Sequence, residues 1–86
     1  MSIHDDIEKF KKLTGLDPFS CDWMQVMIDY GCYPVSMVNK GQITGYAFQY
    51  PIPTKVKTVE NVDLAVTLHW AIMQAVIWKI ENGISK

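Results

Sequence analysis

The stretch from Glu60 to Gly83, ENVDLAVTLHWAIMQAVIWKIENG, restricts what this chain can fold into more than any other. At about 100° per residue, Val62, Ala65, Val66, Leu68, His69, Ile72, Met73, Val76 and Ile80 fall on one broad apolar arc. Leu64, Ala71 and Ala75 widen the arc on one side, and Trp70 and Ile77 widen it on the other. Only Glu60, Asp63, Thr67, Gln74 and Glu81 make a properly polar strip. A surface helix buries a stripe little more than about 100° wide. This one needs cover around most of its circumference, so it is predicted to be a central helix or one shared with a partner.

The elements before it follow from spacing and punctuation. Ile3, Ile7, Phe10 and Leu13 recur at helical intervals, with Ser2 as cap, Asp5 and Asp6 in the first turn and Gly15 as the stop. This predicts a helix over residues 3–14. Asp17 reads as a second N-cap with Pro18 at the first helical position. From there Phe19, Trp23, Val26, Met27 and Tyr30 form an apolar face that Met24 and Ile28 widen, and Gly31 closes the helix. The period then changes. Tyr33 to Val38 reads as a short edge strand, Asn39, Lys40 and Gly41 as a turn, and Gln42 to Tyr50 as the returning strand. On that strand Thr44, Tyr46, Phe48 and Tyr50 share one face, while Ile43, Gly45, Ala47 and Gln49 share the other. Either a helix lies against the small face or the aromatics are offered outward. Pro51 and Pro53 end the hairpin, an extended TKVKTVEN segment allows a third short strand, and Thr58 or Asn61 caps the last helix. The order of helix, helix, hairpin, helix predicts a single compact α+β domain over residues 1–86, compatible with a winged-helix-like arrangement.

A chain of 86 residues buries only about 60 to 65% of its unfolded surface. With 49% of its residues hydrophobic, the chain has apolar surface to spare, and that surplus favours association. All eight basic residues are lysine, against nine acidic ones. Without arginine the commonest tool for reading guanine edges is missing. Lysine without arginine, together with abundant isoleucine, fits an AT-rich coding sequence such as that of a low-GC bacterium or a mobile element. The start, MSIHDDIEKF, lacks the basic and apolar regions of a signal peptide. A cytoplasmic location with reduced thiols is therefore expected. If one helix carries both Cys21 and Cys32 to its end, they sit about 15 Å apart along its axis, beyond disulfide reach. The run from Leu64 to Ile80 is shorter than the ~20 residues a membrane span needs, and His69, Gln74 and Lys79 interrupt it.

No spacing joins either histidine to a cysteine as nucleophile and base, and CxxC, HExxH, phosphate-loop and dinucleotide-binding patterns are absent. A non-enzymatic protein without cofactor or metal is expected. His4, Asp5, Asp6 and Glu8 read as helix-end charge complementarity rather than a metal site. His69, inside the apolar arc, reads as a core histidine satisfied by a carbonyl or by the hydroxyl of Tyr46 or Tyr50.

Two functional expectations follow. The first is a protein-binding module, an accessory or inhibitory subunit docked on a larger protein or a homo-oligomer. Its anchors would be Trp70, Ile77 and Trp78 with Tyr46, Phe48 and Tyr50, since tryptophan is a common interface anchor, and Ala71 and Ala75 would leave a groove for another helix. The second is a winged-helix-like nucleic-acid binder touching phosphates with Lys40, Lys55 and Lys57. Asp17, Asp22 and Asp29 on the second helix oppose that reading. An accessory subunit of a nucleic-acid enzyme would reconcile the two.

Overall fold

The computed structural model describes residues 3–48, 52–58 and 63–83. Three helices, α1 (Ile3–Thr14), α2 (Trp23–Tyr30) and α3 (Leu64–Glu81), combine with three strands, β1 (Pro34–Asn39), β2 (Gln42–Phe48) and β3 (Lys55–Lys57). The strands form one antiparallel sheet in the order β1-β2-β3, so the third strand allowed by the sequence exists. The arrangement is the expected α+β one, and α3 contacts every other element. Its predicted central position is the reason: Ala71, Ile72, Ala75 and Val76 are completely buried. The small-residue groove at Ala71 and Ala75 is thus filled by the protein's own elements.

Helix α1 has the expected bounds and ends where the Gly15 N–H donates to the Lys11 carbonyl at 2.8 Å with φ 73. Helix α2 begins later than Pro18. Asp17 organises a turn, accepting from the Phe19 N–H at 3.0 Å while its carbonyl accepts from Ser20 and Cys21. Asp22 is the true N-cap, its carboxylate accepting from the Met24 and Gln25 N–H groups at 3.1 and 3.3 Å. Two aspartates compete for one helix start, and the second wins because Trp23 and Val26 can then reach the core. Helix α3 likewise starts later than expected: Asp63 caps it, accepting from the Ala65 N–H at 2.7 Å. Thr58 instead continues the sheet, its N–H donating to the Thr44 carbonyl at 2.8 Å. Ser2, Tyr50 and Asn61, to which the sequence also points, lie outside the described residues.

Pairing of Asn39 with Gln42 leaves Lys40 and Gly41 as a two-residue hairpin loop with positive φ at both positions, 53 and 77. This is the loop whose twist matches paired strands. A bulge between Met37 and Val38 shifts the β1–β2 register. Tyr46 pairs with Ser36 on one side and with Val56 on the other. Val56 is buried, and Phe48, two residues from Tyr46, packs on the core. The aromatic face therefore turns inward to α3, and the small face, Ile43, Gly45 and Ala47, turns outward. Both expectations for this strand are therefore corrected: the helix lies against the aromatic face rather than the small one, and the aromatics are not offered outward, because burying them removes more apolar area from water.

Candidate docking surfaces

Where α1 packs on it, the polar strip of α3 meets a matching polar group rather than water, while Asp63 and Glu81 at its ends stay exposed. Asp6 is 2% exposed, and its Oδ2 accepts from the Trp70 Nε1–H at 2.6 Å and from the Gln74 amide at 3.2 Å. One turn further, Lys9 meets Glu81 at 2.8 Å. Thr67, also in the strip, is buried and returns its hydroxyl to the Asp63 carbonyl. Asp6 thus does more than complement the α1 dipole: it is the polar joint between α1 and α3. Beside this joint a cleft of about 340 Å³ opens, walled by Asp6, Lys9, Gln74 and Trp78 and by Thr54 and Lys55 at the start of β3.

The six apolar residues expected to anchor a partner are spread over several environments. Trp70 is half-buried with its indole N–H engaged by Asp6. Ile77 is 6% exposed and belongs to the core. Trp78 is half-buried at the cleft wall. Tyr46 and Phe48 are half-buried on the inward face of the sheet, and Tyr50 lies outside the described residues.

The large exposed apolar side chains cluster in sequence around α2 instead. Phe19 is 78% exposed, Met24 63%, Tyr33 60% and Ile28 51%, with Leu16 also outside. Met24 and Ile28 stand one turn apart on the side of α2 turned from Val26 and the core. Next to them Gln25 donates its amide to Asp29 at 2.7 Å, so the outer face of the helix is half apolar and half acidic. The signal was present in the sequence, where Met24 and Ile28 widen the apolar arc. What was missing was that an eight-residue helix buries only the narrow part of that arc. Its far end is held by Lys79, an almost fully buried lysine of α3 whose ammonium donates to the Tyr30 and Gly31 carbonyls at 2.7 and 3.3 Å. A cation at the negative end of α2 satisfies carbonyls that the helix itself leaves unpaired.

A second exposed surface is the outer face of the sheet. Val35 and Val38 are exposed, and Met37, Ile43 and Ala47 are half-exposed beside them. The register sets Lys55 opposite Ala47 and Lys57 opposite Gly45, on this same face. Lys40 marks the hairpin tip, and all three lysines are exposed. Along the chain, acidic and basic residues separate between the α2 region and the sheet. From Leu13 to Asn39 the chain has Asp17, Asp22 and Asp29 and no lysine; from Tyr30 to Val59 it has Lys40, Lys55 and Lys57 and no carboxylate.

Cys32 is buried, and Cys21 and His69 are half-buried. Burial pushes the thiols of Cys21 and Cys32 above the ordinary cysteine value, with Lys79 opposing the shift at Cys32; both cysteines are free. A thiol raised in this way is a poorer nucleophile. His69 stacks on Trp23 with ring centres 4.6 Å apart and planes 13° from parallel, and Trp23 stacks in turn on Phe10 at 5.5 Å. Desolvation lowers the imidazole pKa, partly offset by Asp63. The contact that defines His69 is therefore an aromatic face. Among the described residues no group of three or more His, Cys, Asp or Glu side chains is placed to hold a metal ion, and no helix is long and apolar enough to cross a membrane. Compared with known protein families, curated proteins and solved structures, the chain has no significant match.

Proposed function

We propose that this protein is a non-enzymatic docking module that works by binding a protein surface, as an accessory or inhibitory subunit or as an oligomer. The observation that carries the reading is the exposure of Phe19, Met24, Ile28 and Tyr33 around α2, four large apolar side chains that the fold leaves in water. Leaving such groups exposed gains nothing for the monomer, whereas covering what is still exposed of each contributes at most about 1.5–3 kcal/mol. Trp78 and the cleft beside it offer a separate recess for a partner side chain. The double variant Met24→Glu, Ile28→Glu tests the reading, since both residues point away from the core. It is expected to keep wild-type circular dichroism and lose a stoichiometric protein partner, recovered after nuclease treatment or seen as self-association. Retention of every wild-type partner by the variant would remove α2 as the docking element.

The lysines of the sheet support a second reading, binding of a nucleic-acid backbone by a winged-helix-like face, directly or as part of a nucleic-acid enzyme. Lys40, Lys55 and Lys57 are exposed in a segment without carboxylates. That reading requires affinity for duplex DNA that falls steeply with salt and weakens when Lys55 and Lys57 become Ala.

A further inference from the structure

We propose that the partner of the α2 surface is a second copy of this chain, and that the acidic apolar face of α2 docks on the outer face of the sheet. The inference rests on the docking reading above and names its partner. Each surface lacks what the other carries. Around α2, Met24 and Ile28 are exposed beside Asp29, in a segment with three aspartates and no lysine. On the sheet, Val35 and Val38 are exposed, and Lys55 and Lys57 stand on the outer face in a segment with three lysines and no carboxylate.

α3 covers the inner face of the sheet, so a helix laid on the outer face would complete a layered arrangement of helix, sheet and helix, which is how sheets bury both sides. The aspartates of the α2 segment and the exposed lysines of the sheet discourage contact between like surfaces and favour contact between unlike ones. A chain whose net charge is only −1, but whose charges are divided in this way, is complementary to itself. Contact between unlike surfaces closes into a dimer if it is made twice about a two-fold axis, and otherwise grows head to tail.

The test is a charge exchange, read by sedimentation equilibrium of the full chain. Wild type is expected to self-associate at about 0.05 M salt and at least tenfold more weakly at about 0.5 M, as screening of exposed charges requires. Asp29→Lys alone, and Lys55→Glu with Lys57→Glu alone, should each associate at least about tenfold more weakly than wild type. Mixed in equal amounts, the two variants should recover association, because every contact between them again pairs opposite charges. Circular dichroism checks that each variant folds, and Lys40→Glu replaces the double lysine variant if β3 does not tolerate it. Failure of the mixture to recover association would overturn the proposal, as would a wild type that is monomeric up to about 1 mM at the lower salt. A monomer that still binds a different protein, lost in Met24→Glu, Ile28→Glu, overturns only the self-pairing. A monomer that binds no protein overturns the docking reading as well. A monomer that binds DNA through the lysines assigns the sheet to nucleic acid and overturns the proposal.

Discussion

At the scale of single residues, Asp6 and His69 carry the clearest consequences. Asp6→Ala removes the acceptor shared by Trp70 and Gln74 inside the α1–α3 joint. Two partly buried donors are then left without it, and the expected loss of unfolding free energy is about 1–3 kcal/mol. Asp6→Asn, which keeps one carbonyl oxygen, should lose less; urea unfolding followed by tryptophan fluorescence measures both. As read from the sequence, Asp6 has only a helix-end role, although its spacing carries a further signal. It sits three residues after Ile3 and four before Phe10, on the apolar spacing of α1, where a carboxylate must find a buried donor. Its partners were not legible, because they lie 64 and 68 residues away.

For His69 the pKa is lowered in the fold, so the unfolded chain takes up its proton first as the solution is acidified. The stability that His69 contributes is present above its ordinary value of 6.5 and falls as the pH drops toward the lower folded value. Asp63 works against the shift and limits its size. His69→Phe, which keeps an aromatic ring on Trp23, should reduce the fall in unfolding free energy between about pH 7 and about pH 5 relative to wild type. Identical pH profiles would show that the imidazole does not titrate in this way.

At the scale of elements, the sheet depends on the absence of one side chain. A Cβ at Gly45 would press on the Val56 carbonyl oxygen and the Met37 methyl group and lie 2.9 Å from the Lys57 Cα. Met37 can move, but the backbone of β3 is fixed by its pairing with β2. Gly45→Ala is therefore expected to cost at least about 2 kcal/mol and to expose the Thr58 amide, which bonds to Thr44, to faster hydrogen exchange. Unchanged protection of that amide would contradict the close approach. Gly45 stood out in the sequence only as the smallest member of a small face. The order and type of the elements and the bounds of α1 followed from periodicity, whereas the starts of α2 and α3 did not. Asp17 and Asp22 are both good caps, as are Thr58 and Asp63 among the residues before α3. Local propensity ranks such candidates closely, and the choice falls to whichever start lets the following turn reach the core.

At the scale of the whole molecule, the determining feature is how a short chain distributes too much apolar surface. α3 absorbs most of it, and the most exposed apolar side chains that remain lie around α2 and on the outer sheet face, while Leu13, Leu64 and Val66 are exposed to a smaller degree. Those exposed groups contribute little to the isolated fold. Met24→Glu, Ile28→Glu should therefore change the unfolding free energy of the monomer by less than about 1 kcal/mol. If the two surfaces pair between copies, wild-type Tm should also rise with protein concentration, as mass action requires when only the folded chain associates. The variant's Tm should not. Thermal scans across about a hundredfold concentration range decide between these outcomes.

The sequence by itself determined the α+β order, the central place of the last helix and the short edge strand at Pro34, because these follow from periodicity and from the chemistry of Gly, Pro and Asn within a few residues. Only the tertiary structure decided which apolar side chains stay in water. Trp70 and Ile77 looked available on α3, and Asp6 and the core claimed them. Met24 and Ile28 looked like part of a buried face, and α2 proved too short and too lightly covered to bury them. The reason is that a side chain's exposure depends on which distant element packs over it. Such contacts join residues that have no local signal of one another.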